Sequence, residues 1–167
     1  TFRAGTGNRG VSPYRGRSLI AFSMSRDCLV SYSNFDLIEV RAIRPDNKAI
    51  YATRAIEPGT LLGFFDGKSI LVDLEDKSSL DDYWWRQSVH LRLEGSKLLC
   101  LLPMWEPEGV DYLNHSCRPN ARVEDQLYVY SDRRIEPAEE ITADYRTFNL
   151  VPEGKQCWCE TENRCEI

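Results

Sequence analysis

No stretch of this chain approaches the roughly 18–20 consecutive apolar residues that a membrane-spanning helix needs. Thr1–Arg17 has no apolar core of the kind that drives secretion, so no signal peptide is read there. Without a secretory signal, clustered cysteines read first as metal ligands and only then as disulfides, and an intracellular, reducing compartment is expected. The first 18 residues contain no acid at all, only Arg3, Arg9, Arg15 and Arg17 among the charged types. Solenoid-period repeats are absent. Sustained helical periodicity is scarce. The chain does not begin with Met and reads as a fragment.

What is present is a chain of 167 residues, 42% apolar and 28% charged, enough for one packed domain. The net charge of −5 argues against general affinity for nucleic acid or anionic membranes. Four of the 21 basic residues lie in the first 18 positions, so the remaining 17 face 26 acids, a net −9. Four of the six cysteines, Cys117, Cys157, Cys159 and Cys165, fall in the last third. Cys28 and Cys100 have no such company and read as core thiols.

The pattern beyond the basic arm is strand-like. Leu37–Ile43 and Ala49–Arg54 flank a turn at Pro45-Asp46-Asn47 and predict paired strands. Thr60–Asp66 and Lys68–Asp73, broken at Asp66-Gly67, predict a hairpin. Ser78–Arg86 predicts a short helix, and Val89–Leu93 with Lys97–Leu102 a hairpin around Gly95. Leu127–Ser131 and Glu140–Tyr145 complete a mainly β chain with few short helices. Arg54-Ala55-Ile56-Glu57-Pro58 is echoed by Arg134-Ile135-Glu136-Pro137, two similar strand-to-turn passages.

Two segments carry the chemistry. Tyr112-Leu113-Asn114-His115-Ser116-Cys117-Arg118-Pro119-Asn120 crowds polar side chains between an apolar pair and a proline. About 20 residues later comes Glu139-Glu140-Ile141-Thr142-Ala143-Asp144-Tyr145. Independently, Cys157-Trp158-Cys159 followed by Cys165 offers three thiolates, where structural zinc takes four ligands. Over about residues 36–165 the chain resembles the SET-domain protein-lysine methyltransferases. Ile50–Gly59 is similar to that family's opening strand and turn, Asp82-Tyr83-Trp84-Trp85 to its variable insert, and the cysteine tail to its post-SET zinc motif.

The resemblance implies a fold of several small β-sheets in which the C-terminal strand threads, knot-like, beside the Asn-His-Ser-Cys loop. It divides the chain into a basic arm or pre-SET extension (1–35), a SET domain (36–146) and a post-SET zinc-binding tail (147–167). It further implies binding of S-adenosylmethionine and of a lysine on opposite faces of a channel. Tyr145 takes the catalytic place. Asn47, Lys48, Ala49, Tyr83, Asn114 and His115 take the cofactor-binding places. Ala143 and Trp158 line the substrate channel, and Cys117 joins Cys157, Cys159 and Cys165 around one structural zinc ion. Methyl transfer is an in-line displacement, so alignment and a neutral amine matter more than a strong acid or base. A lysine in a dry channel beside a sulfonium loses its proton more readily, through desolvation and like charge.

Four features depart from the family pattern. Asn47-Lys48-Ala49 stands where a Gly-x-Gly loop is usual, and Ala49 there adds a methyl group. Asp111 stands where an Arg commonly pairs with the acid at Glu140, so a cation such as Arg134 or Arg146 is expected to intervene. Ala143 replaces a bulky aromatic and predicts a roomy channel, hence di- or trimethylation. Five residues, one more than usual, separate Cys159 from Cys165. The reading is a methyltransferase acting on a basic protein segment, a histone tail favoured, in the nucleus if the host is eukaryotic, with no membrane or direct nucleic-acid partner. The alternative is a catalytically weak SET-like module that binds a peptide or protein.

Overall fold

The computed structural model describes residues 32–45, 47–76, 82–103, 106–151 and 156–157, with the backbone alone at 82 and 83. Among these residues eleven short strands are arranged in three small sheets. The first sheet takes β1 (Tyr32–Ser33), β4 (Leu61–Phe64), β10 (Tyr128–Ser131) and β9 (Ala121–Glu124) in that spatial order. The second takes β2 (Ile38–Arg44), β3 (Asn47–Ala52), β11 (Glu140–Ala143) and β8 (Asn114–His115). The third takes β5 (Lys68–Asp73), β7 (Lys97–Leu102) and β6 (Val89–Glu94), with the one-turn helix α1 (Asp82–Arg86) leading into it. The mainly β character with few short helices is as the sequence predicts.

Alternation sets the faces. On β11, Ile141 and Ala143 are buried while Glu140 and Thr142 are half-buried, the period-two pattern of a strand with one face in the core. The main core gathers Ile38, Ile50, Ile56, Leu62, Val129, Ile135 and Ile141, all essentially without exposure. A smaller core of Val72, Leu98 and Cys100 lies under the third sheet. Burying one such aliphatic side chain stabilises the fold by about 1.5–3 kcal/mol.

The β2–β3 and β6–β7 hairpins form as predicted. The β4–β5 hairpin does not. β4 pairs with β1 and β10, whereas β5 pairs with β7. The break at Asp66-Gly67 is a corner between sheets. A Cβ built on Gly67 would lie 2.1 Å from the Leu102 carbonyl oxygen, so only glycine lets the chain pass so close to β7. The echoed passages also prove to be partners. Ile56 and Ile135 form an antiparallel bridge, exchanging N–H···O bonds of 2.9 and 3.0 Å, and Arg134 pairs with Glu57 across it.

Strand β1 lies inside the segment 1–35, expected to be a basic arm or pre-SET extension. Its Ser33 is buried, and Ser33 Oγ accepts from Val110 N at 2.9 Å. Cys100 is a core thiol as expected, and burial pushes it up to about 11. Cys28 lies outside the described residues.

Candidate active site and metal centre

The two chemistry-bearing segments meet through a parallel pairing. β8 lies beside β11 with Asn114 opposite Thr142 and His115 opposite Ala143. Ser116 N continues the contact by donating to Ala143 O at 3.0 Å. Asn120, almost fully buried, closes the loop. Its Nδ2 donates to Glu140 O (2.8 Å) and Glu139 Oε1 (3.0 Å), and its Oδ1 accepts from Thr142 N (2.9 Å). Strand β11 is thus bound at both ends of the Asn114–Asn120 loop and lies beside it as the resemblance implied.

Tyr145 opens a single 3-10 turn (Tyr145–Thr147) that Asp144 caps by accepting from Arg146 N. Its hydroxyl donates to Leu113 O at 2.7 Å, and its amide donates to His115 Nδ1 at 3.1 Å. The His115 ring lies 5.3 Å from the tyrosine ring, and Phe148 meets the tyrosine edge-on at 5.6 Å. Phe148 in turn stacks near Phe65 at 6.5 Å. Tyr145 is therefore tied to Leu113 by its hydroxyl and to His115 by amide and ring. A tyrosine hydroxyl that donates to a fixed carbonyl keeps acceptor capacity on its oxygen.

His115 is buried, and burial holds its pKa below the ordinary imidazole value, against the pull of Asp144 at 3.8 Å. Its Nδ1 accepts a backbone N–H, so the neutral ring carries its proton on Nε2, which sits 3.5 Å from Cys117 Sγ. Asp144 is held below the usual carboxylate range chiefly by the Arg146 guanidinium, bonded at 2.5–3.1 Å.

Asn114 is half-buried, and its Nδ2 donates to two acceptors at 3.1 Å, Lys48 O and Glu140 Oε1. Two acceptors fix which end of the amide faces them, so Oδ1 points away from both. The acid at Glu140 thus meets an amide in place of an arginine. Arg134 is engaged with Glu57 and Glu136, and Arg146 with Asp144, so neither expected cation comes to Glu140. Asp111 is turned aside: its Oδ2 accepts from Glu108 N at 3.0 Å in a reciprocal cap. Asn47-Lys48-Ala49, standing where the family's Gly-x-Gly loop is expected, forms the first half of β3, with Ala49 fully buried opposite Arg41. Lys48 reaches the other way, donating to Tyr112 Oη at 3.0 Å over the tyrosine ring. Phe148 was not singled out in the sequence, and Tyr112 was named there only as part of its segment. The run Tyr145-x-x-Phe148 is the one signal there for a ring at helical spacing.

Tyr83 lies on α1, with its side chain outside the described residues, as are Trp158, Cys159 and Cys165 altogether. Ala143 is fully buried on β11. Cys117 and Cys157, forty residues apart, stand with sulfurs at 3.5 Å and are not disulfide-bonded. Tetrahedral zinc with Zn–S near 2.3 Å spaces its thiolates about 3.8 Å apart, so this pair fits two corners of such a site. His115 also offers a ring nitrogen within 4.8 Å of both sulfurs. Its tautomer argues against ligation: zinc on Nε2 would need the ring proton on Nδ1, where the Tyr145 N–H already points.

The family model of the SET domain matches residues 47–146, and the chain belongs to that family. A 59-residue stretch is 36% identical to the histone-lysine N-methyltransferase Set2 of Drosophila melanogaster, covering 31% of this chain and 3% of that protein. Another 59-residue match is 41% identical to the histone-lysine N-methyltransferase ASHR3 of Arabidopsis thaliana, covering 31% of this chain and 12% of the relative. A solved structure from Plasmodium falciparum, assigned as a histone methyltransferase, is similar at TM-score 0.42 and 18% identity, over 65% of this chain and 92% of that one. No helix among the described residues is long and apolar enough to cross a membrane.

Proposed function

We propose that this chain is a protein-lysine N-methyltransferase that uses S-adenosylmethionine and acts on a basic protein segment, with a histone tail as the first substrate to test. The observation that supports the reading is the attachment of Tyr145 to Leu113 and His115, next to Asn114, so that residues proposed for catalysis and for cofactor binding are neighbours. The cofactor, when bound, supplies the sulfonium methyl group. Asn114 Oδ1 suits an ammonium group, since both amide hydrogens are taken. The Tyr145 hydroxyl orients the incoming amine, and Ala143 leaves room for a second and third methyl group. The −9 body steers a basic segment toward the site. Tyr83 completes the cofactor side, and Trp158 the channel.

On this reading the SET domain spans 36–146, and 147–167 is a zinc-binding tail. Cys117 and Cys157 hold zinc with Cys159 and Cys165, tying the tail to the loop that carries His115. The site of action is nuclear where the host has chromatin. The burial of Ala49 in place of a glycine supports a second reading, a weak or inactive SET module that binds a basic peptide.

One set of measurements separates the two. S-adenosylmethionine is titrated by calorimetry, and transfer of labelled methyl to mixed histones is followed for the native chain and Tyr145→Phe. The enzyme reading expects binding, transfer, a loss of about 10²-fold or more in Tyr145→Phe, and dimethyl or trimethyl product in the mass spectrum. Binding without transfer supports the module, and strictly monomethylated product overturns the role given to Ala143. One zinc per chain is expected by elemental analysis.

A further inference from the structure

The chain has two histidines, on different sheets, and both receive a backbone N–H from the same C-terminal segment. His115 Nδ1 accepts from Tyr145 N, and His90 Nδ1 accepts from Val151 N at 3.2 Å. His90 is buried on β6 opposite Cys100, with the Trp85 ring 5.2 Å away. Leu150 and Val151 pack on the same small core of Val72, Leu98 and Cys100. Six residues further on, Cys157 reaches Cys117.

We infer that His90 is a positioning residue for the C-terminal tail, receiving the Val151 amide and so fixing the tail at Leu150–Val151 against the third sheet, six residues before Cys157. The Val151 N–H enters a neighbourhood of apolar side chains, where an unpaired donor would be costly. An acceptor there must be held rigidly, and the Trp85 ring and β7 hold the imidazole. The β6–β7 register shifts between His90 and Arg92, the kind of irregularity that re-aims a side chain. Among the described residues the third sheet pairs with neither of the other two, so this link is made outside any strand pairing. A disturbance of the insert at 68–102 therefore reaches the tail at Leu150–Val151 through the His90 hydrogen bond and its surrounding core.

The docking itself is independent of the enzyme reading, whereas its consequence for metal rests on the proposed zinc site. Amide hydrogen exchange on the full chain tests the docking, with His90→Leu, His90→Asn and Val151→Pro beside the native protein. His90→Leu is expected to speed exchange over 148–157 by about tenfold while β2, β3 and β11 stay protected. His90→Asn, whose Oδ1 takes roughly the place of Nδ1, should return exchange to within about threefold of native. Native-like tail exchange in His90→Leu overturns the inference, as does His90→Asn exchanging as fast as His90→Leu. If His90→Leu also unprotects β5–β7, Val151→Pro decides, since it removes the donor without touching the small core's imidazole. A tail left protected in that variant overturns the inference, and a tail released over an intact third sheet supports it. Zinc loss to a chelator should be faster in whichever variant releases the tail. A native chain that holds no zinc would refute the metal reading and leave the exchange result to stand by itself.

Discussion

Asn120→Ala should be among the most damaging single changes in this domain, although Asn120 is not placed at the reaction centre. The side chain is 2% exposed and makes three bonds. Alanine keeps the backbone bonds from Asn120 N to Thr142 O and from Asp132 N to Asn120 O. It strips the partners from Thr142 N–H and Glu140 C=O, each costing about 1–3 kcal/mol if water cannot reach it. Glu139 keeps Arg133 and the Glu136 amide, so its loss adds little. The sum is about 4 kcal/mol. For a chain of this size that lowers Tm by about 8–16 °C. With a urea slope of about 2 kcal/mol/M it moves the midpoint by about 2 M. Urea unfolding followed by tryptophan fluorescence and by circular dichroism measures it. A change below about 1 kcal/mol at unchanged slope would refute the reasoning, because β11 would then have to be held by something other than this amide.

Two further outcomes concern Glu139 and Gly63. Glu139 is held at about 2, chiefly by the Arg133 guanidinium, so its ionised form stabilises the fold above the ordinary glutamate range, and that contribution fades as pH falls from about 5 toward 2. Glu139→Gln should therefore be less stable than the native chain by about 1–2 kcal/mol at neutral pH and equal to it near pH 2, in urea titrations at each pH; a difference independent of pH would exclude the Arg133–Glu139 pair as its source. Gly63→Ala should cost about 2–3 kcal/mol, because its Cβ would stand 2.3 Å from the Tyr32 carbonyl oxygen and 2.7 Å from a Val110 methyl, and exchange at β1 should report the displacement first.

The local chemistry of this chain was legible because it is written in contiguous residues. Asn114–Asn120 and Glu139–Tyr145 carry both the family resemblance and most of the candidate site. The parallel β8–β11 pairing that unites them was legible only through that resemblance. Strands predicted from alternation fall within a residue or two of those observed at β2, β5, β6, β7 and β10. Partnerships were another matter. Nothing local distinguishes a hairpin from a corner at Asp66-Gly67, since both ask for a flexible turn, and the deciding contact is with Leu102, 35 positions away. The Arg54 and Arg134 echo was visible, but its meaning as a pairing of Ile56 with Ile135 belongs to the assembled core. His90 was silent for the same reason: its partner is a backbone amide, which no side-chain pattern advertises.

The acid at Glu140 allows one last prediction. The cations expected beside it, Arg134 and Arg146, are engaged elsewhere, and it meets an amide whose hydrogens face Lys48 O and Glu140 Oε1. Asn114→Asp would set two carboxylates about 3 Å apart, and one of them would take up a proton at a raised pKa. An acid whose folded pKa is raised contributes most below its unfolded pKa and loses that contribution as pH rises through the folded value. The stability of Asn114→Asp relative to the native chain should therefore fall as pH climbs from about 4 to 7, the reverse of the Glu139→Gln comparison, whose deficit grows from about 2 to 5. The opposed slopes come from opposed surroundings: one carboxylate beside a guanidinium, the other beside an amide that Asp would turn into an acid. The cation best placed to spoil this is Lys48, now on Tyr112. If its ammonium swung to the new carboxylate, the slope would vanish in Asn114→Asp and return in the double variant Asn114→Asp/Lys48→Met. A flat profile in both would show that Glu140 and position 114 do not share a field, and the amide would then be a hydrogen-bond bridge with no electrostatic part.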